Sequence, residues 1–410
     1  MHFLTLQSVD RILEWVEEFT PLGVEELSLE DCFGRVLASP FCAPEDLPGF
    51  TRSTMDGYAV RAKDVFGASE GMPALVDCIG ECPMGEIPSF AIGAGETAKI
   101  WTGGMLPEGA NAVVMLEYAR GAGGNQIELM RPAAPLENVI SADEDAAKGE
   151  VLLPAGRVLR AQELGLLAAF GQQRAFVGRK PRVAVISSGD EVVPLTVVPK
   201  PGQVRDINSH TLAALVQATG GEACTLGIAG DSEEALGNLI HQALSWADLV
   251  LVSGGSSAGQ RDCTIHAFQA VAGAEILAHG VAISPGKPLI LARKGQQSLW
   301  GLPGHAASAL VCAEVFIRPL LRKLLGMTQQ ETWRKGLYAV LDRPVASMQG
   351  RRDYIRVRLA AGDDCTLTAS PVMGKSGLIT TLVEAEALIV CPEDQEGLAA
   401  GQKVELYPLL

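Results

Sequence analysis

No run of about 18 apolar residues occurs in this chain, so the sequence offers no membrane-spanning helix. Positive charge is scarce too: 33 Lys and Arg face 48 Asp and Glu, a formal net charge of −15. That deficit argues against a nucleic-acid partner or an anionic membrane surface, and any anionic ligand must be held by local donors or a bridging metal. The first residues lack a basic stretch followed by an apolar one, and a soluble cytoplasmic protein is the expectation. The nine cysteines are scattered along the chain, which excludes a small disulfide framework. Cys78 and Cys82 form a C-x3-C pair with no second pair at zinc spacing. Neither a Walker A sequence nor a G-x-G-x-x-G is present, so no motif supports a nucleoside triphosphate or NAD. No Ser-His-Asp or Cys-His set is evident.

What is present is a globular composition, 48% hydrophobic and 20% charged, over 410 residues with 45 Gly and 23 Pro. That length calls for several domains and many turns. In 8–19, Val9, Ile12, Leu13, Val16 and Phe19 fall on one helical face with Ser8 as N-cap, and Pro21 ends the helix. A second helix or turn is expected near 25–38. Short apolar runs broken by Gly and Pro fill 51–148, a β-rich pattern. Strand-turn-strand at 149–159 and a helix at 161–170 closed by Gly171 resume the opening style, so 51–148 reads as an insertion into a discontinuous domain.

From residue 180 strands and helices alternate. RVAVIS (182–187) precedes a helix at 208–219 with Asn208 as N-cap. EACTLGI (222–228) precedes a helix at 232–246 opening on Ser232, and a strand follows at 248–252. After a helix near 263–272 come strands at 275–283, 288–293 and 298–301, then a long apolar helix at 305–325. This order implies a parallel sheet covered on both faces. Beyond Gly326 the pattern becomes strands and turns, a small antiparallel barrel or sandwich over 330–410.

The buried run Leu249 to Val252 enters Ser253-Gly254-Gly255-Ser256-Ser257-Ala258-Gly259, with Asp262 just beyond. Glycines there let backbone N–H groups approach an anion, because no Cβ stands in the way. Taken alone, the loop reads equally as a surface turn. Its company is informative: SSGDE (187–191), GIAGD (227–231), SPGKP (284–288) and GLPGH (301–305) end or join the other strands. Ligands of open α/β sheets bind outside the carboxyl ends of the strands, so these loops are expected on one rim. The acids there are Asp190, Glu191, Asp231 and Asp262, and the cation is Lys287. Gathered carboxylates repel unless a cation intervenes, so the set points to Mg²⁺ bridging to phosphate. Any one acid by itself reads as a solvated loop residue or helix cap.

PGFTRSTMDGYAV (48–60) resembles the P-x-F-x-x-S-x-M-D-G-Y-A signature of the MoeA family, the molybdopterin molybdenumtransferases, shared with the gephyrin E domain. KIWTGGMLPEGANAVVMLE (99–117), DEDA (143–146), SSGDE (187–191), RDINS (205–209), GGSSAGQRD (254–262), SPGKP (284–288) and LPGHAASA (302–309) follow in the family's order. The resemblance implies a multidomain α/β protein. It would have a discontinuous helical linker domain (1–46 and 149–178) and an inserted β-rich domain (47–148). A three-layer α/β pterin-binding domain with a parallel-rich sheet (179–327) and a C-terminal β-barrel (328–410) complete it. It further implies an elongated homodimer whose cleft joins the α/β domain of one subunit to the MDGYA region of the other. The implied activity is Mg²⁺-dependent insertion of molybdate into adenylylated molybdopterin with release of AMP. A molybdopterin adenylyltransferase and molybdoenzyme clients are the implied partners.

Carried over by position, Asp56, Thr102 and Asp145 are the partner-side site residues, and Glu191, Asp231 and Asp262 hold the metal and pterin ligand. Ser256, Gly259 and Lys287 contact phosphates or pterin, within a cofactor set that includes Ser188, Gly189, Asp190, Gly254, Gly255, Pro303 and Gly304. Met55 and Tyr58 read as packing residues. The chain departs from the family pattern at Gly280, Ser284, His305 and Ala306, at Gly230-Asp231-Ser232, and at Ile140-Ser141-Ala142, mostly by loss of a cation or a ligand-facing amide. That loss keeps open a non-catalytic scaffold paralogue or a tungsten-specific insertase.

Overall fold

The computed structural model describes residues 6–254, 263–328, 336–362 and 366–409. The chain divides into two compact units. One comprises Met1–Ser39, Ala155–Gly165 and Gln173–Leu410; the other comprises Pro40–Pro154 and Leu166–Gln172. Among the described residues no helix is long and apolar enough to cross a membrane.

The larger unit is built on a six-stranded sheet: β1 (Arg182–Ser188), β2 (Glu222–Ala229), β3 (Leu249–Ser253), β4 (Glu275–His279), β5 (Ile290–Lys294) and β6 (Gln297–Leu302). Its order is β2-β1-β3-β6-β5-β4. The first four of these strands are parallel, whereas β5 runs antiparallel to β6 and β4 antiparallel to β5. The sheet is therefore parallel only in part. The short β5–β6 connection, Gly295 to Gln296, leaves no room for the crossover that a parallel pair requires. The reversal has a functional consequence, since it brings the segment that enters β5 to the rim where the parallel strands end.

Side chains alternate along each strand and separate into two cores. Val183, Val185, Leu249, Leu251, Leu291 and Trp300 face one way, packing with Val9, Ile12, Val16, Leu212 and Phe316. Ala184, Ile186, Val250, Val252, Ile290 and Leu299 face the other, packing with Leu236, Ile240, Ile265 and Phe268. Every residue of β3 is buried, as a strand covered on both faces demands.

The N-terminal helix Val9–Glu17 opens on Ser8, whose Oγ accepts from the Arg11 N–H at 3.1 Å. Residues 25–38 differ from expectation: Val24–Ser28 is a strand paired with Arg174–Gly178, and only Leu29–Cys32 turns helically. The Val24 to Ser28 stretch alternates exposed and half-buried positions, which suits a two-stranded ribbon better than a helix. The apolar helix at 305–325 is three pieces, Ala306–Cys312, a π-helical turn Ala313–Ile317, and Arg318–Leu324. A nearly closed, barrel-like sheet completes the unit. It runs Lys403–Glu405, Tyr338–Leu341, Leu367–Pro371, Arg352–Ala361, Ala387–Cys391 and Tyr407–Pro408, and Ile283–Ser284 adds to Arg352–Asp353.

The smaller unit holds a curled six-stranded sheet. Its order is Ala112–Met115, Gly57–Val60, Glu96–Ile100, Ala74–Cys82, Gln126–Leu129 and Ala119–Gly123. Two small cores line its faces, one around Ile100 and Val113 and the other around Val65 and Leu129.

Candidate anion site at the carboxyl ends of the strands

Strands β1, β3 and β6 end together. Gly254, just past β3, has φ +102°, and a Cβ there would stand 2.1 Å from the Ser188 carbonyl oxygen. Its N–H donates to the Leu302 carbonyl at 3.0 Å. Glycine is required because three strand ends converge on one backbone position. Gly189 serves similarly after β1: at φ +140° it turns the chain so that the Glu191 carboxylate folds back over it.

Beyond these ends lies a cavity of about 1000 Å³. Its walls come from the ends of β1 and β3, the segment 204–208, the turn 281–288 ahead of β5, and Pro303 to Ala306. The barrel-like sheet adds Met348 to Arg351 and Ser376-Gly377. Among the described residues three cations line it, Arg205, Lys287 and Arg351. Arg351 is paired with Asp353 at 2.8 Å. The carboxylates lining the cavity among the described residues are Glu191 and the buried Asp206. In a chain of net charge −15, the described residues of this recess set Arg205 and Lys287 against Glu191 and Asp206, a local balance in place of the overall excess of acid.

The floor is a fixed polar network. The Ser187 hydroxyl donates to Asp206 Oδ1 at 2.8 Å, and the same oxygen accepts the Ser209 N–H at 3.1 Å. Asp206, not Asn208, therefore caps the helix Asn208–Ala218. The Asn208 amide nitrogen instead donates to Ser253 Oγ at 2.6 Å and to the Gly304 carbonyl at 2.8 Å, tying the ends of β3 and β6. Two buried atoms of this floor, Ser188 Oγ and Asn208 Oδ1, have no partner among the described residues. Orphaned buried polar atoms are costly, about 1–3 kcal/mol each, and at a cavity wall a ligand or its water can satisfy them.

In the smaller unit the MDGYA segment forms a second polar feature. Asp56 Oδ1 accepts the Thr102 N–H and the Thr102 hydroxyl, both at 2.8 Å. These two bonds hold the Asp56 carboxyl below the usual carboxylate range. Gly57 is obligatory, since a Cβ would meet the Val114 carbonyl oxygen at 2.1 Å. Asp145 sits in the adjoining turn, its N–H donating to the Leu47 carbonyl at 3.0 Å. Bonds from Ser53 to Gly104 and from Thr54 to Asn138 lace the three turns together.

Three family models cover almost the whole chain: the MoeA N-terminal region (domain I and II) at 7–171, a probable molybdopterin binding domain at 184–323, and the MoeA C-terminal region (domain IV) at 338–409. A molybdopterin molybdenumtransferase from Nostoc sp. is 35% identical over 381 residues, covering 92% of this chain and 86% of its own length. Another from Bacillus subtilis is 31% identical over 404 residues, covering 97% and 93%. This chain belongs to the MoeA family. The crystal structure of a molybdopterin biosynthesis MoeA protein from Pyrococcus horikosii superposes with a TM-score of 0.82 at 36% identity, covering 98% of this chain and 99% of that one.

Against that family the expected site residues fall into three groups. Ser188, Glu191, Gly254, Lys287, Pro303 and Gly304 line the cavity, and Gly189 shapes its edge. Asp190 and Asp231 are not among its lining residues: Asp190 Oδ1 accepts the Asp231 N–H at 2.9 Å, so the first acid caps the loop that carries the second. Gly255, Ser256, Gly259 and Asp262 lie outside the described residues. Tyr58 packs against its sheet as expected, but Met55 is 40% exposed and does not. The sequence assigned no site role to Arg205, Asp206, Asn208 or Arg351, and Asn208 was expected only as a helix cap. The RDINS segment was visible as a motif, and its polar density just before a helix was the available signal. For Arg351, supplied from a distant sheet, there was none.

Proposed function

We propose that this protein inserts molybdate into adenylylated molybdopterin in a Mg²⁺-dependent reaction that releases AMP. Membership of the MoeA family makes it a transferase of molybdenum cofactor biosynthesis, with molybdopterin and molybdate as substrates. The observation that carries the reading is the 1000 Å³ recess, which gathers Arg205 and Lys287 in an acidic protein over two buried polar atoms that have no partner among the described residues.

The chemistry fits the groups present. Phosphoanhydride cleavage and oxyanion transfer need positioning and charge neutralisation more than a covalent nucleophile. Arg205 and Lys287 supply positive charge to phosphate or molybdate oxygens, while the Asp206–Ser187 and Asn208–Ser253 pairs hold the strand ends rigid. Mg²⁺ would neutralise phosphate charge when bound. Among the described residues no group of three His, Cys, Asp or Glu could hold a metal, and Glu191 is the exposed carboxylate at the cavity. The described residues alone do not make a divalent-cation site.

The active form in this reading is a homodimer, with Asp56, Thr102 and Asp145 contributed across the subunit boundary. The test is AMP release from purified protein given adenylylated molybdopterin, molybdate and Mg²⁺, with and without a chelator. Release no faster than from Lys287→Ala and Asp56→Ala controls refutes the reading. Mixing those two variants is expected to restore partial activity, because a mixed dimer regains one intact site; no recovery refutes the shared site.

A further inference from the structure

Arg356 lies in the barrel-like sheet, in the strand Arg352–Ala361, and is 8% exposed. Among the described residues it pairs with no carboxylate. Its guanidinium donates to the Thr381 hydroxyl and, at 2.9 Å, to the Gly374 carbonyl. Burial alone pushes its pKa down. A desolvated guanidinium without a counter-ion is an expensive way to tie down a loop, since an amide or hydroxyl could bond the same two oxygens.

What it ties down is the segment 374–381. That segment carries Ser376 and Gly377 into the cavity wall. Ser376 is fixed from the other side as well: its carbonyl accepts the Ala307 N–H at 3.0 Å, and its hydroxyl meets His305 Nδ1 at 2.9 Å. Gly374 takes φ +157° at the start of the segment, and a Cβ there would meet Thr381 Cγ2 at 2.7 Å. Arg356 therefore holds both ends of a turn whose middle faces the anion recess.

We propose that Arg356 is a positioning residue for the anion site, acting through Gly374 and Thr381 to set Ser376 and Gly377 against the bound oxyanion. This inference rests on the molybdate-insertase reading. Its fork geometry matters as much as its charge, because one guanidinium reaches two oxygens at opposite ends of the turn.

The experiment compares wild type, Arg356→Lys, Arg356→Met and Thr381→Val, the last removing with little change of volume both the acceptor for Arg356 and the donor to the Leu378 carbonyl at 2.6 Å. Thermal midpoints and the molybdate dependence of AMP release are measured for each, together with the imidazole NMR signals of His305 assigned by His305→Gln. A wild type without AMP release would sink the insertase reading and leave the His305 signals as the test of Arg356. With an active wild type, Arg356→Met is expected to raise the molybdate KM about tenfold or more with kcat little changed. Thr381→Val should shift KM in the same direction by less, and Arg356→Lys should recover only part of the loss. The His305 signals should move in both Met and Val variants. Variants that lower the midpoint yet leave KM and the His305 signals as in wild type would overturn the proposal. If Arg356→Met does not fold, Arg356→Lys decides: a molybdate KM and His305 signals as in wild type overturn the proposal.

Discussion

Gly254→Ala tests the geometry of the site most directly. The added Cβ would stand 2.1 Å from the Ser188 carbonyl oxygen and 3.1 Å from its carbon, in a residue held at φ +102°. An ordinary contact needs more than 3 Å, so the ends of β1 and β3 must part by about 1 Å. The positive φ costs about 1–2 kcal/mol for an L side chain. Forcing the strands apart in a packed layer adds about 1–3 kcal/mol. A total of about 2–5 kcal/mol is thus expected in urea unfolding of the larger unit. Because the displaced ends carry Ser187, Ser188 and Ser253, AMP release should fall about a hundredfold even in protein that remains folded. Gly273→Ala is the control. It shares a positive φ of +78°, with nothing within 4 Å of its Cβ, and should lose only the backbone component. A Gly254→Ala protein as stable and active as Gly273→Ala would refute the claim that strand-end convergence builds the site.

Other expectations concern charge. Glu163, 4% exposed, is held down to about 2 by hydrogen bonds from Arg160 and then Arg157. A lowered folded pKa means stability that is complete above about 4.5 and lost as pH falls toward about 2, worth about 3 kcal/mol. Glu163→Gln should remove that pH dependence, and identical wild-type and variant unfolding curves at pH 7 and pH 3 would refute it. Lys287→Ala should raise the molybdate KM about tenfold at low salt, less at high salt, with an unchanged thermal midpoint. A KM that does not move excludes Lys287 from the oxyanion's surroundings. Asp56→Asn should abolish AMP release without altering the midpoint, since Asp56 is exposed and its carboxylate bonds, among the described residues, to Thr102. Activity retained at wild-type level would remove Asp56 from the catalytic set.

Much of the fold was legible in local pattern. The helical spacing of Val9, Ile12 and Val16 behind Ser8, and the all-apolar β3, are features that a handful of neighbouring residues settle through burial and capping. The reversed strand β5 was not legible. A strand's direction depends on the length and path of its connections, and apolar alternation is the same either way. Asn208 shows the same limit at one residue. Its position suited a helix cap, yet Asp206 took that place because Ser187 and the helix N–H both reach it, freeing Asn208 to bridge two strand ends.

The order of motifs from MDGYA to LPGHA determined the family and placed Glu191, Gly254 and Lys287 on one rim, because strand-loop-helix alternation fixes which loops share an edge. Only the tertiary structure decided which charges the recess gathers. Arg205 and Arg351 reach it from segments far apart in sequence, while Asp190 turns aside to cap the Asp231 N–H. Charge composition adds over the whole chain, but a ligand responds to the few groups within a Debye length that packing brings together.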